Sequence, residues 1–283
     1  MPRTAAPQEM SATRRVVHVV DALAQRGPIG LRPLAQVLGI PLGSLHRQLH
    51  DLMAEGVVDR TPDGLWELSF RLLQISGRQL ERIALPKLAR PYCERIAEAT
   101  RETVNLTLLN GLAAVCLDKV RGNEAMQLDI PVGGRGKLHC GGAGKAILAY
   151  LRKDELDTIL GDEIEAFTPF TLTRPADLRR EIGAIRLRGY AIDNQEVVLG
   201  VYCVGVPIFD RNLRPVGAIS ITGPKPKRVG SDILPYVAML ADACMQVSRR
   251  LGYSGAWPPE PVGTRTEKPK PSIRAKAARG IRG

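Results

Sequence analysis

Aromatic residues make up only 4% of this 283-residue chain, so any core it builds must rest on aliphatic side chains. No apolar run reaches the roughly 18 residues that a membrane-spanning helix needs. The opening Met1-Pro2-Arg3-Thr4 lacks the apolar core of a secretory leader, so a cytoplasmic protein without membrane contact is expected. The five cysteines, Cys93, Cys116, Cys140, Cys203 and Cys244, include no CxxC pair, and their odd number argues against a disulfide framework or a zinc ribbon. Histidine is scarce as well: of four, His18, His46 and His50 fall in the first fifty residues and His139 stands apart.

Basic residues outnumber acidic ones, 40 Lys+Arg against 29 Asp+Glu, and the formal charge of +11 attracts polyphosphate without specificity. The excess is uneven. Residues 1–83 hold ten basic and eight acidic side chains, residues 84–252 hold 23 and 19, and residues 253–283 hold seven and two. A nearly neutral N-terminal region gains reading power from pairing with a second copy, which doubles its charge and its recognition elements.

Leu31, Leu34, Ala35, Val37 and Leu38 lead into Gly39-Ile40-Pro41, and a second segment carries Leu42, Leu45, Leu49 and Leu52 at helical spacing. The mean direction of these leucines leaves Arg47 almost opposite, flanked by Ser44, His50 and Asp51. Gly56-Val57-Val58 and Leu65-Trp66-Glu67-Leu68 then bracket the turn signal Thr61-Pro62-Asp63-Gly64 and predict a two-stranded wing. Helix, glycine turn, helix and hairpin form a winged helix-turn-helix over residues 13–69, with a supporting helix from Thr13 to about Gln25. Such a second helix fits the major groove, where Arg pairs with guanine and Gln with adenine. Ser44, His46, Arg47 and Gln48 are therefore the candidate contacts on the helix, with Arg60 on the wing. His46 and His50 also have the i,i+4 spacing of a helical metal pair, but no acidic or cysteine ligand signature stands near, and no metal or cofactor is expected.

Residues 1–12 read as a flexible arm and 70–86 as a connecting helix, with Gly77 in its middle as the residue that weakens it. Residues 87–252 read as mixed α/β: a helix at Lys87–Ala99, strands Val104–Leu109 and Ala113–Val120 around Asn110-Gly111, a strand near Ala125–Pro131, and a helix at Ala143–Ala149. Strands follow at Tyr190–Ile192, Val204–Phe209 and Val216–Ile221, before a closing helix from Ile233 to about Leu251. The fold class is α+β. Residues 253–283, rich in proline and basic side chains, read as a disordered tail.

Together with the winged head, the motifs Leu138-His139-Cys140-Gly141-Gly142-Ala143-Gly144-Lys145-Ala146, Arg188-Gly189-Tyr190, Glu196-Val197-Val198-Leu199-Gly200 and Ala218-Ile219-Ser220-Ile221-Thr222-Gly223-Pro224 resemble an IclR-type transcriptional regulator over roughly residues 12–252. The resemblance implies a homodimer or homotetramer on double-stranded operator DNA, controlled by a small organic acid bound in a GAF-like effector-binding domain. It implies effector contacts at Gly142, Ala143, Asp193, Cys203, Ser220 and Thr222. Thr222 stands where serine is often found, and its extra methyl narrows the space.

The chemistry of those residues agrees. Backbone N–H groups at a helix start can hold a carboxylate, Ser220 and Thr222 share one strand face, and Asp193 repels a carboxylate but accepts hydrogen bonds. These features point to an acid with a hydroxyl or hydrated keto group at its far end. Plainer roles stay open: a tight turn for Gly142–Gly144, water-facing strand positions for Ser220 and Thr222, packing for Cys203. Lys145 beside glycines invites a phosphate loop, but His139 occupies the first glycine position and Ala146 the Ser/Thr. His139-Cys140 offers a thiol and base, yet neighbours on a strand point to opposite faces, and no enzyme is expected. The competing class is a ligand-binding or assembly protein that uses the helix-turn-helix for protein contacts and the basic tail for nucleic acid.

Overall fold

A computed structural model describes residues 11–81, 83–122, 130–161, 163–224 and 233–257. The chain divides into two compact units, Met1–Ile83 and Ala84–Gly283. No helix among the described residues is long and apolar enough to cross a membrane.

In the first unit, α1 (Ala12–Arg26) starts where the Ser11 side chain accepts the Arg14 N–H at 3.3 Å. Ser11 and Ala12 thus belong to a helix start and not to the arm, whose residues 1–10 lie outside the described residues. α2 (Leu31–Leu38) ends at Gly39, whose φ of +63° is the left-handed cap that glycine adopts without a Cβ clash. α3 (Leu42–Ala54) follows at once. Strands β1 (Val58–Arg60) and β2 (Trp66–Leu68) pair antiparallel, Val58 with Leu68 and Arg60 with Trp66, around a turn closed by Gly64 N–H on the Thr61 carbonyl. Val19, Leu23, Leu34, Leu45, Leu49, Val58 and Trp66 form the core. Leu42 is a correction: placed on the leucine face by its spacing, it is 43% exposed, because the first residue of α3 lies at the rim of that face. α4 (Arg71–Glu81) runs through Gly77 unbroken, and none of its described residues is buried.

The second unit begins at α5 (Ala84–Thr100), three residues before the expected helix start at Lys87; Pro86 sits in its first turn, where a missing N–H costs nothing. Strands β3 (Thr103–Asn110), β4 (Ala113–Val120), β5 (Arg135–Gly136), β6 (Ala191–Asn194), β7 (Val201–Phe209) and β8 (Pro215–Pro224) make one antiparallel sheet ordered β5-β4-β3-β8-β7-β6. α5 and α9 (Leu234–Arg250) cover one face; α6 (Gly142–Leu148) packs on the other, backed by α7 (Lys153–Gly161) and α8 (Pro175–Arg188) through Leu156, Leu160, Leu178, Ile182 and Ile185.

Most of the strand expected near Ala125–Pro131 lies outside the described residues. The disordered-tail reading needs correction at its start. Tyr253 is buried, its ring 5.4 Å from Phe209, and Trp257 packs against both. Two aromatics four residues apart supply apolar area that a disordered segment does not carry. Residues 258–283 lie outside the described residues.

Candidate functional site

On α3, burial of Leu45, Leu49 and Leu52 turns His46 and Arg47 outward, both exposed, with Ser44 and Gln48 half-buried at the margins. His50 stands edge-on to Trp66, ring centroids 5.5 Å apart, and its Nε2 lies 3.2 Å from His46 Nε2. Arg60 is exposed but not loose: its guanidinium donates to the Gly64 carbonyl at 2.9 Å and stacks 5.1 Å over the Trp66 ring. It therefore braces the wing it belongs to.

In the second unit, strand register assembles the sequence-named residues. Asp193 pairs with Cys203 across β6 and β7, and Cys203 pairs with Thr222 across β7 and β8, so the three form one row on one face. Ser220, two residues away on β8, shares that face and pairs with Asn105 on β3. Gly142 and Ala143 approach from the start of α6. A Cβ on Gly205 would fall within 2.4–2.6 Å of Gly142 and Ala143 backbone atoms, so only paired glycines let helix and strand come this close. All of these except Gly205 line a cavity of about 330 Å³.

Sequence reasoning missed much of the lining. Asn105 and Thr107 on β3 and Cys116 on β4 supply wall, Cys140, Phe167 and Val197 close it, and the cations Arg135 and Lys137 border it. The signal for Asn105 was available: Thr103, Asn105 and Thr107 alternate with apolar Val104, Leu106 and Leu108, which puts the three polar side chains on one strand face. Its Nδ2 donates to Thr222 Oγ1 at 3.2 Å, and Thr222 Oγ1 donates to Cys203 Sγ at 3.4 Å. Burial pushes the Cys203 thiol up despite hydrogen bonds from Thr222, Ser220 and the Gly142 N–H, and pushes Cys140 up to about 12. Neither is a thiolate near neutrality. His139 and Cys140 lie in a bend, not on a strand, and His139 Nε2 is engaged with the Glu165 carbonyl at 2.9 Å.

Asp193 has a task the sequence did not reveal. Its Oδ1 accepts the Glu196 N–H at 2.6 Å, fixing the loop that carries Val197 to the cavity. Burial raises its pKa, and the hydrogen bonds from the loop oppose that rise. Behind the loop Lys145, 2% exposed, bonds Glu196 Oε1 at 2.5 Å and Glu181 at 3.4 Å, and Arg188 holds Glu181 at 2.7 Å. Burial pushes the Glu196 carboxyl up to about 7 against the opposing Lys145 charge. Thr168 and Thr171 donate to the Gln195 and Glu196 carbonyls at 2.7 and 2.6 Å, tying a second loop to the first.

Comparison with known proteins matches residues 77–249 to the family described as bacterial transcriptional regulator IclR C-terminal, and residues 12–62 to the IclR helix-turn-helix domain. The HTH-type transcriptional regulator BhcR of Paracoccus denitrificans is 33% identical over 256 residues, 90% of each chain. The transcriptional repressor IclR of Escherichia coli is 30% identical over 252 residues, 88% of this chain and 91% of its own. Thermotoga maritima IclR superposes with a TM-score of 0.74 at 32% identity, covering 85% of this chain and 98% of that one. An IclR homologue of Microbacterium hydrocarbonoxydans, solved with 4-hydroxybenzoate, shares the fold with a TM-score of 0.74 at 24% identity over 85% and 99% of the two chains. The C-terminal match alone runs over more than half of the sequence and the head carries its own, so the chain belongs to the IclR family of transcriptional regulators, with a DNA-binding head and an effector-binding C-terminal domain.

Proposed function

We propose that this regulator reads operator DNA with α3 as a homodimer or homotetramer and is controlled by a small organic acid in the sheet cavity. The observation that carries the effector reading is the row Asp193, Cys203 and Thr222 with Ser220 beside it, facing the first turn of α6 in a cavity bordered by Arg135 and Lys137. The Ala143 and Gly144 N–H groups of that turn have no acceptor inside the helix, and with Arg135 they favour an anion, while Lys137 is paired at 3.4 Å with Glu165, which lines the same cavity. Ser220 and Asn105 supply hydrogen-bonding groups for a hydroxyl, and Phe167, Val197 and Val201 supply apolar wall. Self-association rests on α4 and its approach, which leave Phe70, Leu73 and Ile75 between 54% and 79% exposed.

The DNA assignment puts Arg47, Gln48, Ser44 and His46 at or beside base edges. Arg60 approaches the phosphate backbone through the wing it braces. Replacing Arg47 with Ala should cost about 1–3 kcal/mol of operator binding and relax sequence preference. A mobility shift at fixed salt checks this, and unchanged affinity would remove α3 from the groove. For the effector, a thermal-shift screen of organic acids, 4-hydroxybenzoate included, should find a ligand whose stabilisation grows with concentration, by about 2.7 kcal/mol at 100 times its Kd. Stabilisation that survives Ser220→Leu would place the ligand elsewhere.

A further inference from the structure

We propose that His46 and His50 form a bidentate site for a divalent transition-metal ion on the DNA-reading face of α3. Spacing alone carries no metal site, but the ring geometry adds an independent observation. The two Nε2 atoms approach to 3.2 Å on an exposed face. An ion about 2.05 Å from each would close an N–metal–N angle of about 100°, between the octahedral and tetrahedral ideals. The pair is preset. His50 is held edge-on to Trp66, which is 1% exposed, and the His46 ring packs edge-on to His50 at 4.4 Å.

The donor set decides the class of ion. Two neutral imidazoles suit copper, nickel, cobalt or zinc, with affinity rising toward copper, and reject magnesium and calcium, which need oxygen ligands. In the ion-free pair one Nε2–H donates to the other Nε2. Binding requires that proton to move to Nδ1, so that both Nε2 lone pairs face the ion. No cluster of three or more potential ligands exists among the described residues, so the remaining coordination positions open to solvent, on the same helix face as Arg47.

Trp66 gives the test its signal, because it touches His50 and the chain's other tryptophan, Trp257, belongs to the second unit. In the full chain carrying Trp257→Phe, added Ni²⁺ or Cu²⁺ should quench Trp66 fluorescence saturably, while Mg²⁺ should not. His46→Gln and His50→Gln, each checked for an unchanged circular dichroism spectrum, should each raise the midpoint about tenfold or more, because one ligand of a linked pair is lost. Saturable quenching with the same midpoint in either variant overturns the site. So does the absence of saturable quenching by Cu²⁺ up to millimolar concentration.

Discussion

Replacing Lys145 with Met tests whether the wall of the effector cavity is held by charge. The ammonium lies 2.5 Å from Glu196 and 3.4 Å from Glu181, and Lys145 is 2% exposed. Glu181 keeps Arg188 at 2.7 Å when Lys145 is gone, so the loss falls on Glu196, whose other oxygen is buried without a partner. Stranding a buried carboxylate costs about 3–5 kcal/mol while it stays ionised. Glu196 can escape by taking up a proton, which gives the deficit a pH signature. In the wild type its folded pKa is raised from 4.5 to about 7, so folding takes up a proton and stability falls as pH rises through that window. Without Lys145 that pKa moves higher still. Above pH 7 the variant then holds a proton that the wild type has released, and the deficit grows with pH, by up to about 1.4 kcal/mol per unit, until the variant's own carboxyl ionises. Urea unfolding followed at Trp257 in a Trp66→Phe background reads the effector-binding unit. Lys145→Met with Glu196→Gln should recover a large part of the loss, since no charge is then stranded. A pH-independent deficit, or a double variant whose cost is the sum of the two, would refute the account.

Two further outcomes test packing. Gly205→Ala would drive a methyl into the Gly142 and Ala143 backbone, which cannot yield as a flexible side chain can; a loss of about 1–3 kcal/mol or more, seen as a lower Tm, is expected, and an unchanged Tm would contradict the close approach. Truncation after Trp257 should leave the effector-binding unit's stability intact. Truncation after Gly252 should cost about 3–5 kcal/mol by removing buried Tyr253 and its neighbour Trp257, and equal stabilities would return that segment to the tail.

What the sequence disclosed depended on how strongly each segment segregates apolar from polar residues. The head was legible because a leucine face, a glycine cap and a Pro-Asp-Gly turn each act locally, and all three agree. β3 and β4 announced themselves through Asn110-Gly111, where Gly111 adopts φ of +61°. α8 did not. Its buried positions, Leu178, Ile182 and Ile185, are diluted by Arg179, Arg180, Arg186 and Arg188, so its apolar stripe is narrow although Pro175, Asp177 and Gly189 mark both ends. Cavity residues on β6, β7 and β8 came from family resemblance because strand register, which sets Asp193, Cys203 and Thr222 side by side, is a long-range property that no local pattern encodes. The Lys145–Glu196 pair, 51 residues apart, was invisible for the same reason.

Asp193 shows why the difference matters for effector chemistry. Read from sequence it is an acceptor for a ligand hydroxyl, yet Oδ1 already receives the Glu196 N–H that fixes the Val197 loop. The two roles separate by substitution. Asn keeps an oxygen for the Glu196 N–H and removes the charge that repels an acid, whereas Ala removes both. If loop fixation dominates, calorimetry with an acid identified by thermal shift should show Asp193→Asn within about threefold of wild type and Asp193→Ala weaker by about tenfold or more, a hydrogen bond to a charged acceptor being worth about 1.5–3 kcal/mol. Equal losses in both would mean that the carboxylate charge itself meets the ligand. The effector would then carry a cationic or strongly donating group at that end, and the cavity's polarity would have to be read in reverse.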